Sequence, residues 1–248
     1  MSKIEFFETD GAARTLLIPL WCRAEFARRY PASGLGAEDA RLLRSLRADF
    51  SAARLADCRL YALREALMLS AARRYLAERP GASLVDLGCG LDTLLRSAGG
   101  EENPRYYVDL PEALSLRSRL LPPREGERYI AADVRGLDFL REISAGDGAF
   151  FALSGLLCHL EREEGLRLLA EIRSAFPGAG LAFDGPALRA REYVSALPPE
   201  RELRAALGGK IRRMTRLPAE LQSLPAAGRA RLALLMRTTL RFYEARID

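Results

Sequence analysis

The fold is decided by the stretch Leu84-Val85-Asp86-Leu87-Gly88-Cys89-Gly90-Leu91-Asp92-Thr93. Residues 83–87 form a short apolar run that is typical of a buried parallel strand, and the two glycines break it. The pattern predicts a strand that ends in a glycine turn and is followed by a helix. Glycine lets the backbone approach a ligand closely, and a helix start would direct unpaired N–H groups to the same place. The stretch therefore predicts a small-molecule site at the carboxyl end of a strand.

Beyond this stretch, strands and helices alternate with short connections. Besides residues 83–87, the apolar runs predict strands over residues 105–109, 128–132, 149–153 and 180–184. Two weaker candidates lie at residues 211–214 and 238–247. A helix is expected over residues 161–176, whereas residues 201–207 and 219–236 could be helical or loop-like. Such alternation favours an α/β fold with a Rossmann-like, doubly wound and mainly parallel seven-stranded sheet.

The part of the chain before the glycine turn is predicted to be almost wholly helical. Apolar residues recur at helical spacing over residues 14–29, which Pro19 interrupts, and over residues 37–50 and 60–76. Pro80-Gly81 then ends the last helix. We expect a single domain over residues 1–248, in which residues 1–79 form a helical N-terminal cap and residues 83–248 the Rossmann-like core. A nicotinamide-binding loop usually lies nearer a chain start, so this position favours another cofactor.

Composition excludes several classes of function. Of the 248 residues 49% are apolar and 29% charged, and no apolar run reaches the roughly 18 residues of a membrane span. The first residues lack the apolar core of a signal peptide, so we expect a cytoplasmic protein. Four scattered cysteines and one histidine argue against a metal site or a disulfide framework. The net charge of +5 comes from dispersed arginines interleaved with acids, which disfavours a nucleic-acid partner. The oligomeric state stays open.

Acidic residues at the strand ends suggest which ligand binds. Asp109 lies at the end of the second strand, where an acid accepts the hydroxyls of a ribose, although it could instead cap the following helix. Asp133 ends the third strand and could accept from an adenine amino group, or be an ordinary loop acid. The third glycine of the dinucleotide fingerprint is replaced by Thr93. Asp92 would repel a pyrophosphate but suits an amine, which favours S-adenosylmethionine over NAD.

Four segments together carry a resemblance to a known family. They are residues 15–24 (TLLIPLWCRA), 87–93 (LGCGLDT), 107–112 (YVDLPE) and 176–179 (FPGA) with Phe183-Asp184. On these segments the chain resembles the class I S-adenosylmethionine-dependent methyltransferases of the leucine carboxyl methyltransferase family, in its bacterial O-methyltransferase branch. The likeness covers roughly residues 14–186.

The resemblance implies S-adenosylmethionine as cofactor and assigns roles residue by residue. It places Gly88 and Gly90 at the methionine part of the cofactor and Asp109 at the ribose, and it pairs Arg64 with the cofactor carboxylate. Arg23 matches a basic position of the family. Its partner there would be either the same cofactor carboxylate or the substrate. The full set of expected cofactor-binding residues is Arg64, Gly88, Cys89, Gly90, Asp109, Leu110, Asp133 and Val134.

The chain also departs from the family pattern. Leu94 stands where the family usually has Arg, and Ser154-Gly155 with His159 where it often has Glu-Gly with a later Tyr. Residues 201–216 replace a Trp- and acid-rich segment. One alternative is therefore a catalytically impaired member that acts as a ligand-binding or interaction protein. A nucleic-acid methyltransferase is a third, less favoured hypothesis.

The expected activity is O-methylation of a small acidic molecule or of a carboxyl group. A carboxylate acceptor needs no base, whereas a phenol or alcohol does, and His159 is the candidate base. The histidine could equally pack at the helix that follows. Arginines of the C-terminal half would attract an acidic substrate, namely Arg189, Arg191, Arg212, Arg213 and Arg216.

Overall fold

The computed structural model describes residues 4–6, 11–48, 55–189 and 193–248. Before the glycine turn it contains two short parallel strands and three helices: β1 (Ile4–Phe6), α1 (Gly11–Arg29), α2 (Ala37–Leu43), β2 (Leu46–Ala48) and α3 (Leu55–Glu78). The helical character expected of this region is therefore largely present. Helix α1 runs through Pro19 without ending, so the interruption expected at that residue is wrong.

A seven-stranded sheet forms the centre of the protein, as predicted. Its strands are β3 (Ser83–Leu87), β4 (Arg105–Asp109), β5 (Glu127–Ala131), β6 (Ala149–Leu153), β7 (Gly180–Pro186), β8 (Lys210–Arg213) and β9 (Leu240–Arg246). They lie in the order β5-β4-β3-β6-β7-β9-β8, and β9 runs antiparallel to both of its neighbours. Every residue of β3, β6 and β7 is buried, which explains why apolar residues predominate in these strands.

Helices cover both faces of this sheet. After β4 come α4 (Pro111–Leu120), α5 (Arg162–Ala175), α6 (Glu200–Leu207) and α7 (Ala226–Thr238). On one face α3 and α7 pack against strand residues such as Phe150 and Phe242. On the other, α5 and α6 pack against Phe151 and Phe183. Neighbouring residues of a strand therefore serve opposite faces, as the pleat requires, and the sheet is doubly wound.

The connection after the glycine turn differs from the prediction. No α-helix follows it: only a 3₁₀ turn, Leu94–Ser97, separates the turn from β4. Leu94 and Leu95 are buried in the core, and the backbone at Gly99 and Gly100 has positive φ values, which ends the turn. Residues 94–97 therefore do not form the α-helix whose free N–H groups were expected to face a ligand, and this expectation is wrong.

Two other segments, residues 37–50 and 219–236, contain shorter helices than their sequence pattern suggests. The segment 37–50 ends its helix at Leu43, because the following residues pair with β1 as strand β2. The segment 219–236 is split into a 3₁₀ turn, Ala219–Leu221, and helix α7. Pro225 lies at the N-cap of α7, and proline lacks the N–H that a helix continuing through it would need. Among the described helices none is long and apolar enough to cross a bilayer.

Gly180 tests the close packing of α3 on the sheet. A Cβ at this position would lie 2.4 Å from Cδ2 of Tyr75, which is itself buried. We expect Gly180→Ala to destabilise the fold by about 1–3 kcal/mol, and the melting temperature to fall by roughly 2–4 °C for each kcal/mol. The control is Gly228→Ala in α7, where the nearest atom to the new Cβ is 3.8 Å away. Equal melting temperatures of the two variants would contradict the packing described.

Candidate functional site

A cavity of about 670 Å³ opens at the carboxyl ends of β3, β4, β5 and β6, and helices α1 and α3 form its opposite wall. Its volume lies within the usual range of small-molecule sites. The structure places all the residues singled out in the sequence on its wall: Arg64, Gly88, Cys89, Gly90, Asp109, Leu110, Asp133, Val134 and His159. Residues from segments far apart in the chain thus meet at one site, although their individual roles stay predictions.

The glycine loop, residues 88–93, needs its two glycines. Gly88 and Gly90 have φ values of 68° and 44°, in the left-handed region that favours glycine. A Cβ at Gly88 would lie 2.9 Å from Cδ1 of Leu156, and one at Gly90 would lie 2.8 Å from Cδ2 of Leu16. Any larger residue would therefore intrude on a loop that forms part of the cavity floor.

Arg117 holds this loop from the side of α4. Its guanidinium is fully buried, and Nη1 donates to the carbonyl oxygens of Gly90 at 3.0 Å and Asp92 at 2.7 Å. The guanidinium also lies 4.0 Å from the ring centroid of Tyr107, in a cation–π contact. Sequence reasoning missed this residue. Its signal was the spacing from Ala113 and Leu114, which places an arginine on the buried face of the helix.

Arg23 holds the loop from the side of α1. Its Nη2 donates to the Leu91 carbonyl at 3.1 Å, and its Nε donates to Asp39 Oδ1 at 2.9 Å. The other carboxyl oxygen of Asp39 accepts from the Thr93 hydroxyl at 2.8 Å. Burial raises the pKa of Asp39, and the Arg23 charge opposes that shift. Arg23 thus links α1 and α2 to the loop, a structural role that neither of its predicted alternatives included.

Asp109 also binds the loop. Its Oδ2 accepts from the Gly90 N–H at 2.6 Å and its Oδ1 from the Leu110 N–H at 2.8 Å. The N-cap position of α4 is occupied by Leu110, so the alternative that Asp109 caps this helix is wrong. Burial raises the pKa of Asp109, while the two N–H donors oppose the shift. A carboxylate has about four acceptor positions, so two remain for the hydroxyls of a ligand.

Arg64 of α3 is held in place by Asp184 of β7. Its Nε donates to Asp184 Oδ2 at 2.8 Å, and Asp184 Oδ1 accepts from the Gly155 N–H at 2.8 Å. A Cβ at Gly155 would lie 2.9 Å from Arg64 Nη1, so the guanidinium lies close against the backbone that follows β6. This arrangement fixes Arg64 as a positive charge on the cavity wall. Asp184 was expected only as part of a family motif, and its partner was not predicted.

His159 lies at the end of a 3₁₀ turn, Leu157–His159, and its ring contacts Tyr193 edge-on at 5.7 Å between centroids. Surrounding protein and the positive charge of Arg64 lower the pKa of His159 from its ordinary value. The imidazole is therefore neutral at pH 7 and able to accept a proton. The neighbouring Cys158 is not a nucleophile, because burial raises the pKa of its thiol to about 12.

The adenine corner predicted at Asp133 and Val134 lies on the cavity wall, but Asp133 already has a partner. Its Oδ1 accepts from the backbone N–H and from Nε of Arg135, both at 2.9 Å. These bonds lower the pKa of Asp133. Val134 is buried, whereas Leu110 exposes 47% of its surface next to it on the wall of the cavity. The corner therefore offers an apolar surface besides one ion-paired acid.

The arginines expected to attract an acidic substrate do not gather at this cavity. Arg212 and Arg213 lie in β8, at the edge of the sheet, and Arg212 pairs with Glu244. Arg191 lies outside the described residues. Arg189 does not line the cavity, but its Nε donates to the backbone oxygen of the lining residue Tyr193 at 3.3 Å. Within the described chain no cluster of three or more acidic, His or Cys side chains has a geometry that could hold a metal ion.

Comparison of amino-acid sequences finds a relative whose similarity goes beyond a shared fold. The chain is 33% identical over 184 residues to the tetracenomycin polyketide synthesis O-methyltransferase TcmP of Streptomyces glaucescens, covering 73% of this chain and 68% of TcmP. No protein-family model matches the chain.

Solved structures share the fold at low sequence identity. Magnesium protoporphyrin IX methyltransferase from Synechocystis PCC 6803 with bound S-adenosylmethionine is 14% identical, with a TM-score of 0.52 over 98% of this chain and 100% of that one. Its complex with S-adenosylhomocysteine gives 0.51 at 14% identity, over 86% of this chain and 95% of that chain. The fold is thus the Rossmann-like fold of methyltransferases that use S-adenosylmethionine.

Replacing Arg117 tests whether side chains hold the glycine loop. We expect Arg117→Met to lower the free energy of unfolding by about 2–5 kcal/mol, because two buried carbonyl groups lose their donor. The matched control is Arg119→Met, two residues along α4 on its exposed side, with an expected change within about 0.5 kcal/mol. Denaturant unfolding followed by circular dichroism measures both. If the two variants unfold alike, the loop is held by something other than Arg117.

Proposed function

Because this chain belongs to the O-methyltransferase family represented by TcmP, we propose that it transfers a methyl group from S-adenosylmethionine to an oxygen atom of a small acidic molecule. One observation carries the proposal beyond the family. The glycine loop, the acid at the end of β4 and a fixed arginine all face the same cavity. We also propose that the chain falls in the leucine carboxyl methyltransferase family, in its bacterial O-methyltransferase branch, and that it acts in the cytoplasm.

The residues of the cavity fit this cofactor. The glycine loop would lie under the methionine part, and Gly88 and Gly90 keep its backbone free of side chains on the cavity wall. Asp109 has acceptor positions for the ribose hydroxyls, Leu110 and Val134 offer apolar surface to the adenine, and Arg64 offers a cation to the carboxylate. When bound, the cofactor supplies an electrophilic methyl group on a sulfonium. The protein residues orient the donor and the acceptor, and this alignment supplies most of the catalysis.

The acceptor would lie in the part of the cavity beyond the glycine loop. Tyr61 and Tyr193 contribute aromatic rings to its wall, and His159 and Arg64 contribute polar groups. Aromatic walls suit a flat ring, and the family relative acts in polyketide synthesis. We therefore favour an aromatic acceptor with a carboxyl or an acidic hydroxyl group. A neutral His159 can remove the proton of a hydroxyl acceptor, whereas a carboxylate acceptor needs no base.

The departures from the family pattern leave this cavity intact. Leu94 is buried in the hydrophobic core and does not line the cavity, so the loss of an arginine at this position removes no group from its wall. Ser154 lines the cavity next to Gly155, where a small residue leaves room for a substrate. The placement of both residues supports an active enzyme. Cofactor binding without turnover would instead support the impaired alternative.

Calorimetric titration of the protein with S-adenosylmethionine and S-adenosylhomocysteine tests the cofactor. We expect dissociation constants well below 1 mM (about −4 kcal/mol). Asp109→Asn should weaken both ligands by roughly 10- to 100-fold, as expected for the loss of hydrogen bonds to a charged group. Asp138→Asn is the control, because this acid is exposed and does not line the cavity. A folded protein that binds neither ligand at millimolar concentration would rule out the proposal.

Replacing His159 by Gln separates the two kinds of acceptor. On phenols we expect kcat to fall by about 10²- to 10⁴-fold, while on aromatic carboxylic acids it stays unchanged. Because the pKa of His159 is lowered and the neutral ring is the base, wild-type activity on phenols should fall only below the usual imidazole range of about 6.5. The variant should lose this acid limb. An equal loss on both acceptor classes would show that the residue only supports the structure.

A further inference from the structure

Glu65 is a buried acid on the cavity wall to which neither the fold nor the proposed reaction gives a role. It follows Arg64 directly in α3 and is only 4% exposed. Its Oε1 accepts from the Gly36 N–H at 3.0 Å, whereas Oε2 has no hydrogen-bond partner among the residues that the structure describes. A buried carboxylate oxygen without a donor is costly. The position therefore calls for a cation or a donor that a ligand would bring.

Among the residues that the structure describes, the cation that acts on Glu65 is Arg23, and it is already paired. The charged groups that act on Glu65 are Arg23 of α1, Asp39 of α2 and Asp92 of the glycine loop. Arg23 already binds Asp39 and the Leu91 carbonyl. Asp92 also lines the cavity, and its Oδ2 is 3.8 Å from Arg23 Nη1. Three carboxyl groups thus share one guanidinium, so a positively charged ligand group placed beside them would stabilise their ionised forms.

We propose that Glu65 binds the α-ammonium group of the cofactor, while Arg64 binds its α-carboxylate. The inference rests on the proposed function, because it assigns a second contact for the same cofactor. Two consecutive residues of opposite charge line one cavity, and the amino-acid end of S-adenosylmethionine carries the two complementary charges. A dinucleotide carries no ammonium at the corresponding place. Glu65 would therefore help the site to prefer an amino-acid-bearing nucleoside over a phosphate-bearing one.

Binding of the ammonium group would change the protonation of Glu65. Burial and the neighbouring acids Asp39 and Asp92 raise the pKa of Glu65 to about 8, against the opposing effects of Arg23 and of the Gly36 N–H. At pH 7 the carboxyl group of the free protein is therefore mostly protonated. An ammonium group bound beside it stabilises the carboxylate form, so that the proton leaves Glu65 for the solvent. Binding of the cofactor at pH 7 should then release protons, up to one for each ligand.

Two ligands and two variants test this contact. S-adenosylhomocysteine carries the ammonium and the carboxylate, whereas 5′-methylthioadenosine has the same adenosine and sulfur but neither charge. By calorimetry we expect Glu65→Gln to weaken S-adenosylhomocysteine at least about tenfold and to leave 5′-methylthioadenosine unchanged. Glu78→Gln, at the exposed end of the same helix, should change neither affinity. Titrations at pH 7 in two buffers of different ionisation enthalpy should show proton release in the wild type and none in the Glu65 variant.

The outcomes separate the two proposals. If Glu65→Gln weakens both ligands equally, the residue acts through packing and the inference is wrong. An unchanged affinity for S-adenosylhomocysteine, with unchanged proton release, means that the ammonium group binds elsewhere, while the proposed function stands. If the wild type binds neither ligand, the proposed function itself fails. Melting curves of each variant establish that the protein is folded, and the near-isosteric Gln keeps the volume of the buried side chain.

Discussion

Two buried arginines bind the three successive carbonyl groups of the glycine loop. Arg117 donates to Gly90 and Asp92, and Arg23 donates to Leu91 between them. The loop depends on these bonds because no α-helix follows it to satisfy its backbone groups. On the other side Asp109 accepts from the Gly90 N–H, so the loop is fixed by side chains from both directions. The shape of the cavity floor is therefore a property of tertiary contacts more than of local secondary structure.

The same contacts set the charge of the site. Arg23 is matched by Asp39, and Asp86 is buried below the loop with both carboxyl oxygens unpartnered among the described residues. Burial raises the pKa of Asp86 and of Asp109. On the cavity wall itself, the carboxyl groups of Asp92 and Asp109 disfavour a pyrophosphate and, when ionised, favour a sulfonium and an ammonium. A sheet of the kind that also serves dinucleotide enzymes is thereby adapted to a positively charged nucleoside.

The local sequence pattern predicted the positions of the buried strands and of the residues at their ends. Strands β3, β4 and β6 were placed to the residue, because apolar residues predominate in buried parallel strands. Residues next to strand ends, such as Gly88 and Asp109, line one cavity as expected, because the carboxyl ends of parallel strands meet. Partners such as Asp184 for Arg64 were missed, since the two residues lie 120 positions apart in the chain. The helix after the loop was wrong, because a glycine turn does not itself determine the length of the next helical segment.

The N-terminal helices are part of the site, not an addition to a complete core. They supply Arg23, Asp39, Arg64 and Glu65, whereas the sheet supplies the glycine loop and the acid of β4. A ligand that contacts both sides binds only when α1 and α3 are seated on the sheet, so its binding energy stabilises that seating. Because Tyr61 of α3 also lines the cavity, changes in these helices would alter the shape of the cavity and its affinity for a ligand together. The packing of α1 and α3 on the sheet and the shape of the cavity therefore depend on each other, which limits how far either can vary alone.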